Sequence, residues 1–119
     1  MPGLEVIEAL VGALNRMDAD AFAALLADDV TVEHVSTGRT LRGKEAVTAW
    51  FRAMLAHTAK NDVTLKRVCI DGSTIWAERV DRHFIGDEWV EIPIMGIVEL
   101  DGAGKMTLMR DYFDSKLAL

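Results

Sequence analysis

Residues 61–114 constrain the fold most, because they contain four segments in which apolar and polar residues alternate, separated by turn signals. The segments read DVTLKRVCI, STIWAERVDRHF, EWVEIPIMGIVEL and MTLMRDYFD, and the breaks between them are Asp71-Gly72, Gly86-Asp87 and the loop DGAGK. Alternation with period two is typical of β-strands, and pairs of Gly and Asp between strands favour tight hairpins. This part of the chain is therefore predicted to be a four-stranded antiparallel meander.

The preceding half of the chain has the spacing of helices. Apolar residues recur at helical spacing in LEVIEALVGALN (residues 4–15), and Asp18 is a plausible N-cap for a second helix, DAFAALL. A short strand, VTVEH (residues 30–34), and a polar, glycine-punctuated loop, STGRTLRG, come before a third helix, KEAVTAWFRAMLAHT (residues 44–58). The N-terminal half is thus predicted to supply three helices and one small strand.

These elements together predict an α+β fold. We expect three N-terminal helices to pack on a strongly curved, mostly antiparallel mixed sheet. Pro93 and Gly96 lie inside a predicted strand and favour a bent sheet over a flat one. A bent sheet covered by helices forms a cone with an internal pocket. At 119 residues, the chain is predicted to be a single domain spanning residues 1–119.

Charge and composition narrow the class of function. Nineteen acidic residues against thirteen basic ones give a net charge of −6, which disfavours binding to nucleic acid or to anionic membranes. Neither a signal peptide nor a membrane-spanning segment is indicated, so a cytoplasmic protein is expected. Cys69 is the only cysteine and is predicted to be a small core residue.

The stretch WAERVDRHF places three polar side chains in a row on one face of a predicted strand. Arg79, Asp81 and His83 are two residues apart and therefore point the same way. Asp111 lies on the last strand, two strands and about 9.5 Å away in a meander. Gly96 on the intervening strand leaves a gap over which Arg79 or Asp81 can reach Asp111.

Two carboxyls held on either side of a guanidinium are suited to acid and base catalysis. The arginine favours ionised carboxylates, whereas desolvation and mutual repulsion favour one shared proton. One acid can then act as a base while its partner donates a proton.

The segments ADDVTVEH, RGKEAV, ERVD, IMG and RDYFD resemble the limonene epoxide hydrolase family over nearly the whole chain. That family lies within the group of cone-shaped domains that includes nuclear transport factor two, ketosteroid isomerase and the polyketide cyclases. The resemblance implies one-step opening of a small or medium hydrophobic epoxide, with Asp111 as the base for water, Asp81 as the acid and Arg79 bridging them. It implies a homodimer and no metal or organic cofactor.

Three positions depart from the family pattern. Val32 and His34 stand where the family holds the water with Tyr and Asn, and His34 is the predicted replacement for the Asn. His83 stands where the family usually has an apolar residue. Together these departures make the pocket more polar, so a bulkier or more oxygenated substrate is expected. The residues expected to line the pocket are Val32, Phe51, Met54, His83, Ile92, Ile94, Gly96 and Phe113.

Trp76, Trp89 and Tyr112 are predicted to lie on the opposite, convex face, where such a patch suggests a dimer interface. Two other functions remain open. An isomerase or cyclase would use the same carboxylates for proton transfer, and a binding domain of this fold would hold a small molecule without reaction.

Overall fold

The computed structural model describes residues 2–117, which form three α-helices, six strands and two 3-10 turns. The helices are α1 (Pro2–Arg16), α2 (Ala19–Ala24) and α3 (Lys44–Ala56), and the 3-10 turns are Val35–Thr37 and Ser115–Leu117. The strands are β1 (Leu26–His34), β2 (Arg39–Arg42), β3 (Lys60–Asp71), β4 (Thr74–Ile85), β5 (Glu88–Leu100) and β6 (Met106–Tyr112). None of these helices is long and apolar enough to cross a membrane.

The six strands form one sheet in the order β2-β1-β6-β5-β4-β3. β1 pairs with β6 in parallel and every other neighbouring pair is antiparallel, so the sheet is mixed. The predicted meander from β3 to β6 is confirmed. Gly86 and Asp87 both have positive φ, 56° and 67°, which fits the twist of a two-residue hairpin between β4 and β5.

The helices cover the concave face of the sheet, so the predicted α+β class is confirmed. Asp18 caps α2 as predicted, with its side chain accepting a hydrogen bond from the Ala21 N–H at 3.0 Å. The helical layer packs through Phe22 of α2 and Phe51 of α3, whose rings stack at 4.3 Å. Both rings are fully buried, as is Val30 of β1, and this packing anchors α2 and α3 to the sheet.

Four features of the structure differ from those predicted from the sequence. β1 begins at Leu26 rather than at residue 30, and α3 ends at Ala56 rather than at residue 58. The predicted loop STGRTLRG contains the short edge strand β2, which pairs with β1. Cys69 is exposed instead of buried. β3 has an irregular register between Leu65 and Arg67, and this shift turns Cys69 to the outer face.

Candidate active site

The guanidinium of Arg79 lies between the carboxylates of Asp81 and Asp111. Nε donates to Oδ1 of Asp81 at 2.9 Å, and Nη2 is 3.4 Å from Oδ2 of the same carboxylate. Nη2 and Nη1 donate to Oδ2 and Oδ1 of Asp111 at 2.7 and 3.1 Å. Side-chain exposures of 7% for Arg79, 11% for Asp81 and 13% for Asp111 show that the cluster is largely buried. Two adjacent edges of one planar cation, which share Nη2, thus hold two acids at fixed positions.

Gly96 makes this arrangement possible. On β5 it pairs with Ala77 of β4 on one side and with Asp111 of β6 on the other. A Cβ at position 96 would lie 2.5 Å from Nη1 of Arg79 and 2.9 Å from Oδ1 of Asp111. The guanidinium therefore occupies the space that a side chain would fill. Because Arg79 covers it, Gly96 lies beneath the cluster and is not itself among the residues that line the cavity.

Arg79 keeps its charge in this buried setting. Burial by itself would lower the pKa of Arg79, but the charges and hydrogen bonds of Asp111 and Asp81 outweigh burial and raise the pKa above its ordinary value. The cluster therefore holds a permanent cation against two acids.

His34 lies beside Asp111, because β1 runs parallel to β6 and pairs these two residues. Its ring centroid is 5.2 Å from that of Trp50 and 5.7 Å from that of Phe113. Burial lowers the pKa of His34. The charge of Asp111 acts in the opposite direction, whereas the charges of Arg39 and Arg79 lower the pKa further. His34 is consequently a neutral ring at pH 7, with one donor and one acceptor nitrogen.

A cavity of about 750 Å³ lies between the helical layer and the concave face of the sheet. The cluster opens into it, and so do His34 and seven of the eight residues predicted to line a pocket. Those seven are Val32, Phe51, Met54, His83, Ile92, Ile94 and Phe113. The volume lies in the upper part of the range for small-molecule sites, and the walls are mostly apolar.

Several lining residues were not assigned from sequence. The polar members among them are Thr37, Arg39, His57, Thr58 and Asn61, and Trp50 adds a large aromatic wall. Trp50 precedes Phe51 and is one helical turn from Met54, a spacing that could have indicated it. Within residues 2–117, no group of three or more His, Cys, Asp or Glu side chains is placed to hold a metal ion.

Comparison with known families gives a match over almost the whole chain. Residues 2–119 match the family described as Limonene-1,2-epoxide hydrolase catalytic domain. The epoxide hydrolase EphG of Mycobacterium tuberculosis is 35% identical over 108 residues, which are 91% of this chain and 70% of that protein.

Solved structures give the same picture of the fold. An LEH-like epoxide hydrolase of M. tuberculosis superposes with a TM-score of 0.87 at 32% identity, covering 97% of this chain and 84% of that one. The M. tuberculosis protein RV0760c, solved in complex with estradiol-17beta-hemisuccinate, also superposes with a TM-score of 0.87. The identity is 25%, and the match covers 98% of this chain and 96% of that one. A Catenulispora acidiphila protein of ketosteroid isomerase-like fold superposes with a TM-score of 0.83 at 22% identity, covering 92% of this chain and 85% of that one. The resemblance stated from sequence is confirmed.

Proposed function

Since the chain belongs to the limonene-1,2-epoxide hydrolase family, we propose that it hydrolyses a hydrophobic epoxide in one step, without a covalent intermediate. The observation that carries this proposal is the bridging of Asp81 and Asp111 by one buried guanidinium inside the cavity. One buried cation set against two acids balances the charge of a pair that holds one proton between them, which is the arrangement that a base and an acid acting together require.

In this mechanism Asp111 takes a proton from a water molecule as the water oxygen attacks one carbon of the oxirane. The ring C–O bond breaks, and Asp81 donates its proton to the departing oxygen, so the product is a vicinal diol. Arg79 orients both carboxyls and neutralises the negative charge of the pair. After the reaction Asp111 holds the proton taken from water, and transfer of this proton to Asp81 restores the starting state.

His34 is the proposed holder of the attacking water. Its ring faces the cavity next to the proposed base, and its neutral form can accept from or donate to a water molecule. Val32, the other departure from the family pattern, is 2% exposed and can contribute only an apolar wall. The water is then held by two groups, Asp111 and His34, rather than by the larger set that the family pattern implies.

The proposal predicts turnover of epoxides to diols by the purified protein without added metal or cofactor. A panel should run from ten-carbon cyclic epoxides to steroid epoxides, because the cavity volume admits both classes. Chromatography and mass spectrometry would detect the diols. Exchange of substrate protons with solvent in place of hydration would favour an isomerase or cyclase. Tight binding of ligands without turnover of any epoxide would favour a binding domain.

We also propose that the protein forms a homodimer through its convex face. Trp76, Trp89, Met95 and Tyr112 are each more than 40% exposed there, which is unusual for a monomer surface. Light scattering would test this, and a monomer at micromolar concentration would contradict it. Location in the cytoplasm stays a prediction.

A further inference from the structure

His83 is a buried polar residue of the cavity that the proposed hydrolysis does not use. It follows Asp81 by two residues on β4, points to the same face and is only 7% exposed. It forms no ion pair with either acid of the cluster; its contact is with Asn61 on the neighbouring strand β3. A buried imidazole without a part in the reaction needs another explanation.

The contact with Asn61 determines which ring nitrogen of His83 carries the proton. Nδ2 of Asn61 donates to the carbonyl oxygen of Leu14 at 3.1 Å, so Oδ1 is the amide atom that faces His83. If the amide were turned the other way, Oδ1 of Asn61 would face the carbonyl oxygen of Leu14, and two acceptors would oppose each other. Nδ1 of His83 is 2.7 Å from this Oδ1 and must therefore donate.

The other nitrogen, Nε2, is then a hydrogen-bond acceptor. Burial lowers the pKa of His83. The charge of Asp81 acts in the opposite direction and that of Arg79 lowers the pKa further, so the ring is neutral at pH 7. Nε2 has no hydrogen-bond partner in the part of the chain that the structure describes. Among the fully enclosed side-chain polar atoms of that part, only Thr48 Oγ1 lacks a partner. Since Nε2 of His83 also lacks a partner, it is not fully enclosed and keeps some accessible surface. That surface faces the cavity, which His83 lines.

We propose that His83 selects epoxides that carry a hydroxyl group at the far end of the molecule, with Nε2 accepting a hydrogen bond from this hydroxyl. This inference rests on the proposed function and adds the substrate class. Two residues along a strand span roughly 6.6 Å, so the hydroxyl would sit about that far from the oxirane oxygen held by Asp81. An apolar substrate would leave Nε2 buried without a partner, which disfavours its binding.

A matched pair of substrates tests this selection. The 1,2-epoxides of p-menthene and of α-terpineol differ by one hydroxyl at the opposite end of the ring. We expect kcat/KM to be about tenfold higher for the hydroxylated epoxide. The His83→Leu variant should lose this preference, with kcat/KM rising for the p-menthene epoxide and falling for the hydroxylated one. The His83→Gln variant, whose amide oxygen can also accept, should keep part of the preference.

Binding of the products separates this inference from the proposed function. Calorimetry with p-menthane-1,2-diol and p-menthane-1,2,8-triol needs no turnover and should show about the same tenfold preference for the triol. Preference in binding without hydrolysis would leave the role of His83 standing and overturn the epoxide hydrolase assignment. Hydrolysis by the unmodified protein without any preference, or an unchanged preference in His83→Leu, would overturn the role of His83.

Discussion

Replacing Asp111 with Asn is expected to lower kcat for epoxide hydrolysis by about 10³-fold, the middle of the range for loss of a general base. The amide can still accept from Arg79, but it cannot take a proton from water. The fold should persist, because Asp111 and Asn have nearly the same shape and the 2.7 Å contact with Nη2 can be kept. Steady-state kinetics with circular dichroism would measure both effects.

The matched control is Asp114→Asn, which removes the same charge three residues further along the chain. Asp114 is exposed, and its side chain accepts from the Lys116 N–H at 3.0 Å outside the cavity. This variant should retain the activity of the unmodified protein. Unimpaired turnover by Asp111→Asn would eliminate Asp111 as the base.

Replacing Arg79 with Met is expected to lower the free energy of unfolding by about 3–5 kcal/mol. The change leaves the carboxylates of Asp81 and Asp111 buried without the cation that both now contact. Adding Asp81→Asn and Asp111→Asn to the same protein should recover much of this loss, because the buried charges are then gone. Urea unfolding of the three proteins would give the comparison.

Arg82→Met is the control for Arg79→Met on the same strand. Arg82 points to the outer face and binds Asp62 at 2.7 Å, with side-chain exposures of 35% and 49%. Such an exposed pair contributes less than about 1 kcal/mol, so this variant should be only slightly destabilised. Equal losses in Arg79→Met and Arg82→Met would show that the buried cluster has no special dependence on its cation.

The face and strand order of the cluster were predictable because they depend on local rules. Period-two alternation places Arg79, Asp81 and His83 on one face, and short turns force neighbouring strands to pair. A meander then puts Asp111 two strands away, with Gly96 between them. The bridging geometry needs only these rules and the length of an arginine side chain.

The partner of His83 was not predicted because β3 contains an irregularity in its pairing. Counting back from the Asp71-Gly72 turn with regular pairing would set Asp62 opposite His83. The register shift between Leu65 and Arg67 sets Asn61 there and places Asp62 opposite Arg82. The apolar residues of DVTLKRVCI change parity at the adjacent polar pair Lys66-Arg67, and this break in the alternation is the signal in the sequence that marks the bulge.

The edge strand β2 was missed for a different reason. It has four residues, three of them polar, between Gly38 and Gly43, and it has no alternating pattern of its own. Pairing with β1 creates it. Such short edge strands follow from their neighbours rather than from local propensity.

Hydrolysis of an epoxide in water enriched in ¹⁸O, with enzyme in excess over substrate, tests direct attack by water most directly. Each enzyme molecule then turns over at most once. We expect the diol from this first turnover to carry one ¹⁸O atom, because the attacking oxygen comes from solvent. A first-turnover diol without the label would show that a carboxylate oxygen of the protein attacked the epoxide, and would contradict the one-step mechanism.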